Sequence, residues 1–299
     1  MQTDQYTLKD PTEQYGQREG QPEQRQDPPG LSVRMDPQPD YGEETYRGSG
    51  RLADRRAVIT GGDSGIGRAV ALAFAREGAD VVISYLPEEE QDARESVRLV
   101  ESAGRRALPV PGDITDEGHC GRLVQQATDE LGGIDILVNN AGYAMAQEEG
   151  IAGVSSEQFD RVMKTNLYAM FWLSKAAIPH MPPGSSIINT SSIQAFDPWP
   201  HLIDYATTKA AIVAFTKALA ANLVEQGIRV NSVAPGTVWT PFIPATQLPP
   251  TVPRAGLQAP IHRPAQPAEL APAFVFLASE ESSFVTGEVL GVTGGRRLV

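Results

Sequence analysis

From Arg51 onward short apolar runs alternate with helically spaced stretches, and few architectures accommodate that rhythm. The runs fall at residues 57–60, 80–85, 107–110, 134–138, 186–189, 228–233 and 289–292. They lack the in–out alternation of a half-exposed strand, so each is expected to be covered on both faces. Helical spacing lies between most of them, as at 68–77 before Gly78 and at 87–102. That order predicts an α/β, doubly wound fold: one parallel sheet of about seven strands with helices on both sides.

Two segments depart from the rhythm. Residues 1–50 hold eight Gln, six Pro and ten acidic residues, with apolar side chains only as isolated Tyr, Leu, Val and Met. Such a stretch buries too little apolar area to offset its ordering entropy and cannot be a core of its own. It reads either as a mobile tail or as an extended arm on the folded body or a neighbouring subunit, anchored by Tyr6, Tyr15, Leu31, Met35 and Tyr41. Pro-rich chain is stiff enough for the second role. Residues 241–268 carry eight prolines. That excursion reads as a surface loop or as a lid over a ligand, and long loops in compact domains favour the lid. The expected organisation is an extension over 1–50 and one folded unit over 51–299.

Composition narrows the function classes. Nothing approaches the ~20 apolar residues needed to cross a bilayer, and the first residues show no basic-then-apolar leader pattern. Cys120 is the single cysteine among 299 residues, so no internal disulfide can form. Four scattered histidines lack partners at ligand spacing, and no metal is expected. With 37 acidic against 25 basic residues, net charge −12, a broad nucleic-acid surface is not expected. These readings point to the cytoplasm, with neither membrane nor nucleic acid as partner.

Chemistry enters at Thr60-Gly61-Gly62-Asp63-Ser64-Gly65-Ile66-Gly67, directly after the first strand and opening the first helix. Glycines there let the backbone turn tightly and approach a pyrophosphate, while free N–H groups at the helix start attract its charge. The spacing is G-x-x-x-G-x-G, not the commoner G-x-G-x-x-G. A second signal is Tyr205-Ala206-Thr207-Thr208-Lys209 at the start of a long helix, where Tyr205 and Lys209 share a face. An ammonium beside a phenol favours the ionised phenol, which suits acid–base work on an alcohol or carbonyl. Ser192 stands just beyond a predicted strand, where its hydroxyl can meet the same substrate oxygen. The helix over 205–226 is small or apolar nearly all round, so one face covers the sheet and another wants a partner.

The combination resembles the short-chain dehydrogenase/reductase family over about residues 52–295, which implies a Rossmann-type sheet. Gly61, Asp63, Ser64, Gly65, Ile66 and Gly67 resemble its cofactor loop. Tyr85 falls at the ribose, and Asp113 with Ile114 follows the Gly112-Asp113 pair at the adenine. Asn140, Ala141 and Gly142 belong to the Asn139-Asn140-Ala141-Gly142 segment that closes over the cofactor. Pro235, Gly236, Val238 and Thr240 match the segment at the nicotinamide. Asn166, Ser192, Tyr205 and Lys209 stand where the family has its catalytic tetrad. The resemblance implies that Tyr205 moves the proton, Ser192 holds the substrate oxygen, Lys209 lowers the Tyr205 pKa and Asn166 supports a water leading to solvent. The long extension and Pro198-Trp199-Pro200-His201-Leu202 resemble a bacterial subgroup with general-stress and glucose/ribitol-dehydrogenase-like members.

The implied function is an NAD(P)-dependent oxidoreductase interconverting a secondary alcohol, sugar or polyol with its carbonyl compound. A C=C or C=N reductase and a non-catalytic nucleotide sensor are the alternatives; the intact Ser192, Tyr205 and Lys209 argue against both. Position 85 at the second strand's end is not the acid that would repel a 2′-phosphate, which tilts the expectation from NAD toward NADP. No arginine at 64 or 86 welcomes that phosphate, and Glu88-Glu89-Glu90 sits close by. His201, Trp199, Trp239 and Phe242 are expected around the small-molecule substrate. The family's pairing of the 205–226 helix implies a homotetramer.

Overall fold

Seven strands form one parallel sheet in the order β3-β2-β1-β4-β5-β6-β7, in a computed structural model that describes residues 4–16 and 19–298. They are β1 (Arg56–Thr60), β2 (Asp80–Tyr85), β3 (Ala107–Pro111), β4 (Ile136–Asn139), β5 (Ser186–Thr190), β6 (Arg229–Pro235) and β7 (Val289–Val292). The connections are α1 (Gly65–Arg76), α2 (Glu90–Ser102), α3 (Glu117–Leu131), α4 (Ser156–Met163), α5 (Ala169–Ala177), α6 (Ile203–Leu223), α7 (Phe242–Thr246) and α8 (Pro267–Ala278). The doubly wound, Rossmann-like α/β sheet read from the alternation is the one observed. α1 starts earlier than its apolar spacing suggested, because the glycine loop leads straight into the helix. Among the described residues no helix is long and apolar enough to cross a membrane.

Strand side chains divide between two apolar layers. Ala57 and Ile59 of β1, with Val81 and Ile83 of β2, face α1 and α8 through Phe74, Leu270 and Phe274. Val58, Val82, Leu137, Ile187 and Val230 face α3, α5 and α6 through Leu123, Leu173 and Leu223. Strand order reverses between β1 and β4, where the carboxyl ends of the strands open a crevice, the usual place for a ligand in such a sheet.

The described part of the 1–50 segment is laced to the body, so the arm reading describes it and the mobile-tail reading does not. Met35 packs with Trp239, Ile243 and Val252, and Tyr41 and Tyr46 join the core beside α1. Polar links supply what the sparse apolar residues could not. The Ser32 and Val33 N–H groups donate to the Asp92 carboxylate, and Trp239 Nε1 donates to the Pro37 carbonyl. Arg263 Nε donates to the Pro11 carbonyl, and Arg76 donates to those of Gly42, Glu43 and Tyr46. Of the expected anchors, Met35 and Tyr41 are buried, and Tyr15 hydrogen-bonds Asp40 under Arg263. Leu31 is half-buried, Tyr6 is exposed, and Tyr46, not among those expected, is buried.

Candidate active site

At the strand-order reversal lies a cavity of about 290 Å³. Its floor includes Gly61, Asp63 and Ser64 after β1, with Gly65 and Ile66 at the start of α1. Ser64 caps α1 without a side-chain hydrogen bond to its first turn, so those N–H groups stay available to an anion. Gly67 does not line the cavity. A Cβ there would sit 1.8 Å from the Gly61 carbonyl oxygen, so this glycine lets the helix start pack against the loop. Asn140 braces the loop from β4: its Nδ2 donates to the Thr60 and Gly61 carbonyls, and Thr60 Oγ1 accepts from the Asn140 and Ala141 N–H groups.

The other expected residues gather on the same walls. Tyr85, Asp113 and Ile114 line one end, with Asn140, Ala141 and Gly142 beside the loop, and Pro235, Gly236, Val238 and Thr240 complete the cleft. This pre-formed, glycine-floored cleft with a free helix start fits a dinucleotide.

Ser192, Tyr205 and Lys209 meet in this cavity. Burial pushes the Tyr205 phenol up to about 12, against a hydrogen bond with Ser192 that lowers it. Lys209 is buried, and burial brings its ammonium down to about 7. Its Nζ donates to the Thr190 carbonyl at 2.7 Å and stands 5.3 Å from the Tyr205 ring centre.

Asn166 sits apart from the main cavity, in a π-turn (Lys164–Tyr168) between α4 and α5. Its Oδ1 accepts from the Tyr143 N–H at 2.7 Å, and its Nδ2 donates to the Tyr143 carbonyl and to Thr208. Asn166 and Lys209 both line a side cavity of about 10 Å³, room for one water. Asn139 Oδ1, buried and without a hydrogen-bond partner among the described residues, belongs to a residue on the same wall.

The 241–268 stretch does cover the site. Pro241, Phe242, Ile243, Thr246, Gln247 and Thr251 line the cavity, and Phe242 lies 5.7 Å from the Tyr205 ring. Of the expected substrate contacts, Trp199 and Phe242 are on the wall and two are not. His201 Nδ1 is engaged by the Gln147 carbonyl, and Trp239 is fully buried beneath the lid against Met35. Val238 and Thr240 face the cavity, so an extended backbone turns Trp239 the other way.

Sequence reasoning missed Pro28 and Pro29 of the arm, Glu89, Arg161 and Arg296, all on the cavity wall. The sequence puts three consecutive glutamates, residues 88–90, near the end of β2 without singling out Glu89. The turn Pro87–Glu89 folds back so that the Glu89 carboxylate accepts the Leu86 N–H, returning an acid to the end of β2. Nothing in the arm's composition marks Pro28 and Pro29 as wall residues.

Comparison with known proteins agrees with this geometry. A family model described as enoyl-(acyl carrier protein) reductase matches residues 61–297. The chain is 54% identical over 292 residues to uncharacterized oxidoreductase YghA of Escherichia coli, covering 97% of this chain and 99% of that one. It is 43% identical over 289 residues to the glucose and ribitol dehydrogenase homolog of Oryza sativa, covering 92% and 96%. NADPH-dependent aldehyde reductase 1 of Arabidopsis thaliana is 42% identical over 273 residues, covering 89% and 94%. A short-chain dehydrogenase from Burkholderia cenocepacia solved with NADP superposes with a TM-score of 0.77 at 31% identity, covering 82% of this chain and 98% of that one.

Proposed function

The chain belongs to the short-chain dehydrogenase/reductase family of oxidoreductases, and from that premise we propose that it reduces a carbonyl compound to a secondary alcohol, sugar or polyol, and runs the reverse reaction, with a nicotinamide dinucleotide. The observation that carries the reading is the meeting of Ser192, Tyr205 and Lys209 in one cavity with a glycine-floored helix start. NADP(H) is the preferred cofactor and NAD(H) the alternative, in keeping with the NADP named for the Burkholderia structure and the NADPH named for the Arabidopsis relative.

When bound, the dinucleotide gives or takes the hydride. This chain's residues handle the oxygen and its proton. Ser192 and Tyr205, side by side on the cavity wall, present two hydroxyls to one substrate oxygen. Tyr205 donates its proton to that oxygen in reduction and takes it back in oxidation. A protonated Lys209 stabilises the tyrosinate so formed. The side cavity by Asn166 has room for a water that returns the proton to Lys209. Phe242, Trp199 and the lid keep bulk water away from the exchange.

Oxidation of NADPH and NADH against aldehydes, ketones and sugars, with polyols in reverse, tests this directly. Tyr205→Phe is expected to lose about 10³-fold or more of kcat while still binding cofactor; turnover that survives removes Tyr205 from the mechanism. A second reading, reduction of a carbon–carbon double bond, is favoured by the family model's description. An enoyl thioester in the same panel separates the two, because its reduction leaves no alcohol.

A further inference from the structure

One group of charges in the cavity is not used by this mechanism. Asp63, in the glycine loop, is 1% exposed, and its Oδ2 has no hydrogen-bond partner among the described residues although the residue lines the cavity. Glu89 lies on the same wall, beside Ser84, Tyr85 and Leu86 at the end of β2. In a dinucleotide-binding sheet the end of the second strand faces the ribose 2′ position. The acid that strand lacks is therefore supplied twice, from the glycine loop and from the turn before α2.

We propose that Asp63 and Glu89 together read the cofactor's 2′ position, hydrogen-bonding a 2′-phosphate while one of them is protonated and turning it away in favour of a 2′-hydroxyl once both are ionised. This rests on the reading that the cavity takes a nicotinamide dinucleotide.

The surroundings make the pair hold its proton. Burial first, then the charge of Asp63, pushes Glu89 up to about 8, and burial also raises Asp63. Asp92 of α2 and Glu88 add negative charge around Glu89. The nearest cation, Arg68 of α1, is already engaged: Nε donates to the Asp63 carbonyl and Ser96, Nη2 meets Asp92, and the guanidinium lies over Tyr41 of the arm. Tyr85 is held by Glu90, which with burial keeps its phenol protonated. The cations on the cavity wall are Arg161, Lys209 and Arg296. Lys209 sits with Tyr205, and Arg296 pairs with Asp197 beyond β5. Arg161 lies over the Tyr143 ring, so each wall cation among the described residues already has a neighbour of its own. Two ionised carboxylates there would repel a phosphate, whereas a protonated one can donate to it.

Dissociation constants for NADPH and NADH, followed by nicotinamide fluorescence between pH 7.5 and 9.5, test the proposal. The 2′-phosphate, with a second pKa near ~6, is a dianion throughout this range, so its own titration cannot enter. Loss of one proton is expected to lower the NADPH-to-NADH affinity ratio by roughly tenfold or more in the natural protein. Lys209 acts on both cofactors alike and cancels in the ratio. Glu89→Gln is expected to flatten the dependence. A ratio constant with pH in the natural protein overturns the proposal without needing any variant, as does an unchanged fall in Glu89→Gln. If neither nucleotide binds at any pH, the cofactor reading fails and takes the proposal with it.

Discussion

Gly67 requires space rather than unusual backbone freedom. Gly67→Ala must push the Gly61 carbonyl aside, and the expected outcome is at least a tenfold loss of NADPH affinity with about 1–3 kcal/mol of stability lost. Titration against nucleotide and a denaturant curve measure the two. Tyr205 must carry its proton to reduce a carbonyl and must lack it to oxidise an alcohol. Reductive kcat/KM is therefore expected to fall, and oxidative kcat/KM to rise, as pH climbs through the apparent pKa of the Tyr205–Lys209 pair. Lys209→Met should move both profiles to higher pH, because the charge that favours tyrosinate is gone. The same residues show what a sequence discloses at this scale. Tyr205 and Lys209 were legible because one helical turn fixes their relation. Glu89 was not, because only the start of α2 decides which of three consecutive glutamates folds back. Trp239 was misread because closeness to cavity residues in sequence does not fix the side from which a side chain leaves an extended backbone.

At the scale of elements the sheet was readable and the arm was not. Apolar runs covered on both faces leave a local signature; an arm held by main-chain and side-chain hydrogen bonds to distant segments leaves none. Glu77, at the end of α1, is its clearest polar anchor, accepting from Tyr46, from the Ser49 and Arg51 N–H groups and from the Arg51 guanidinium. Burial alone would raise its pKa, but Arg51 and Tyr46 hold it down at about 2. A depressed carboxyl stabilises the fold above its unfolded value near ~4.3 and loses that contribution as pH falls toward the folded one. The arm is thus expected to loosen between about pH 4 and 2, seen as earlier pepsin cleavage within residues 4–50 than elsewhere. Met35→Ala should cost about 2–4 kcal/mol in a denaturant titration, since it empties the space between arm and lid. A change within error would mean that Met35 contributes nothing to holding the lid.

At the scale of the molecule, α6 presents Ala210, Ala214, Ala218 and Ala221 to solvent along one side, and Tyr168 of the π-turn and Phe171 of α5 are exposed as well. Small residues let another helix approach closely, and the aromatics give it apolar area to cover. A homotetramer is the expected assembly, and light scattering at micromolar concentration should give four times the 32.1 kDa chain mass. Ala214→Glu with Phe171→Glu should bring that mass down. A monomeric mass for the natural protein would leave this face without its expected partner.

The lacing of the arm also sets an order in time. Residues 4–50 leave the ribosome long before residues 239–269, yet Pro11, Pro37 and Asp40 make their bonds with Arg263, Trp239 and Gln266, separated by 252, 202 and 226 positions. Closing contacts over such spans is slow and comes late in folding. During synthesis the earliest segment must wait, undocked and soluble through its own acidic and glutamine-rich composition, while the sheet assembles behind it. Pro28 and Pro29 then reach the cavity wall last, so nucleotide binding on a growing chain would begin only after the lid has been made.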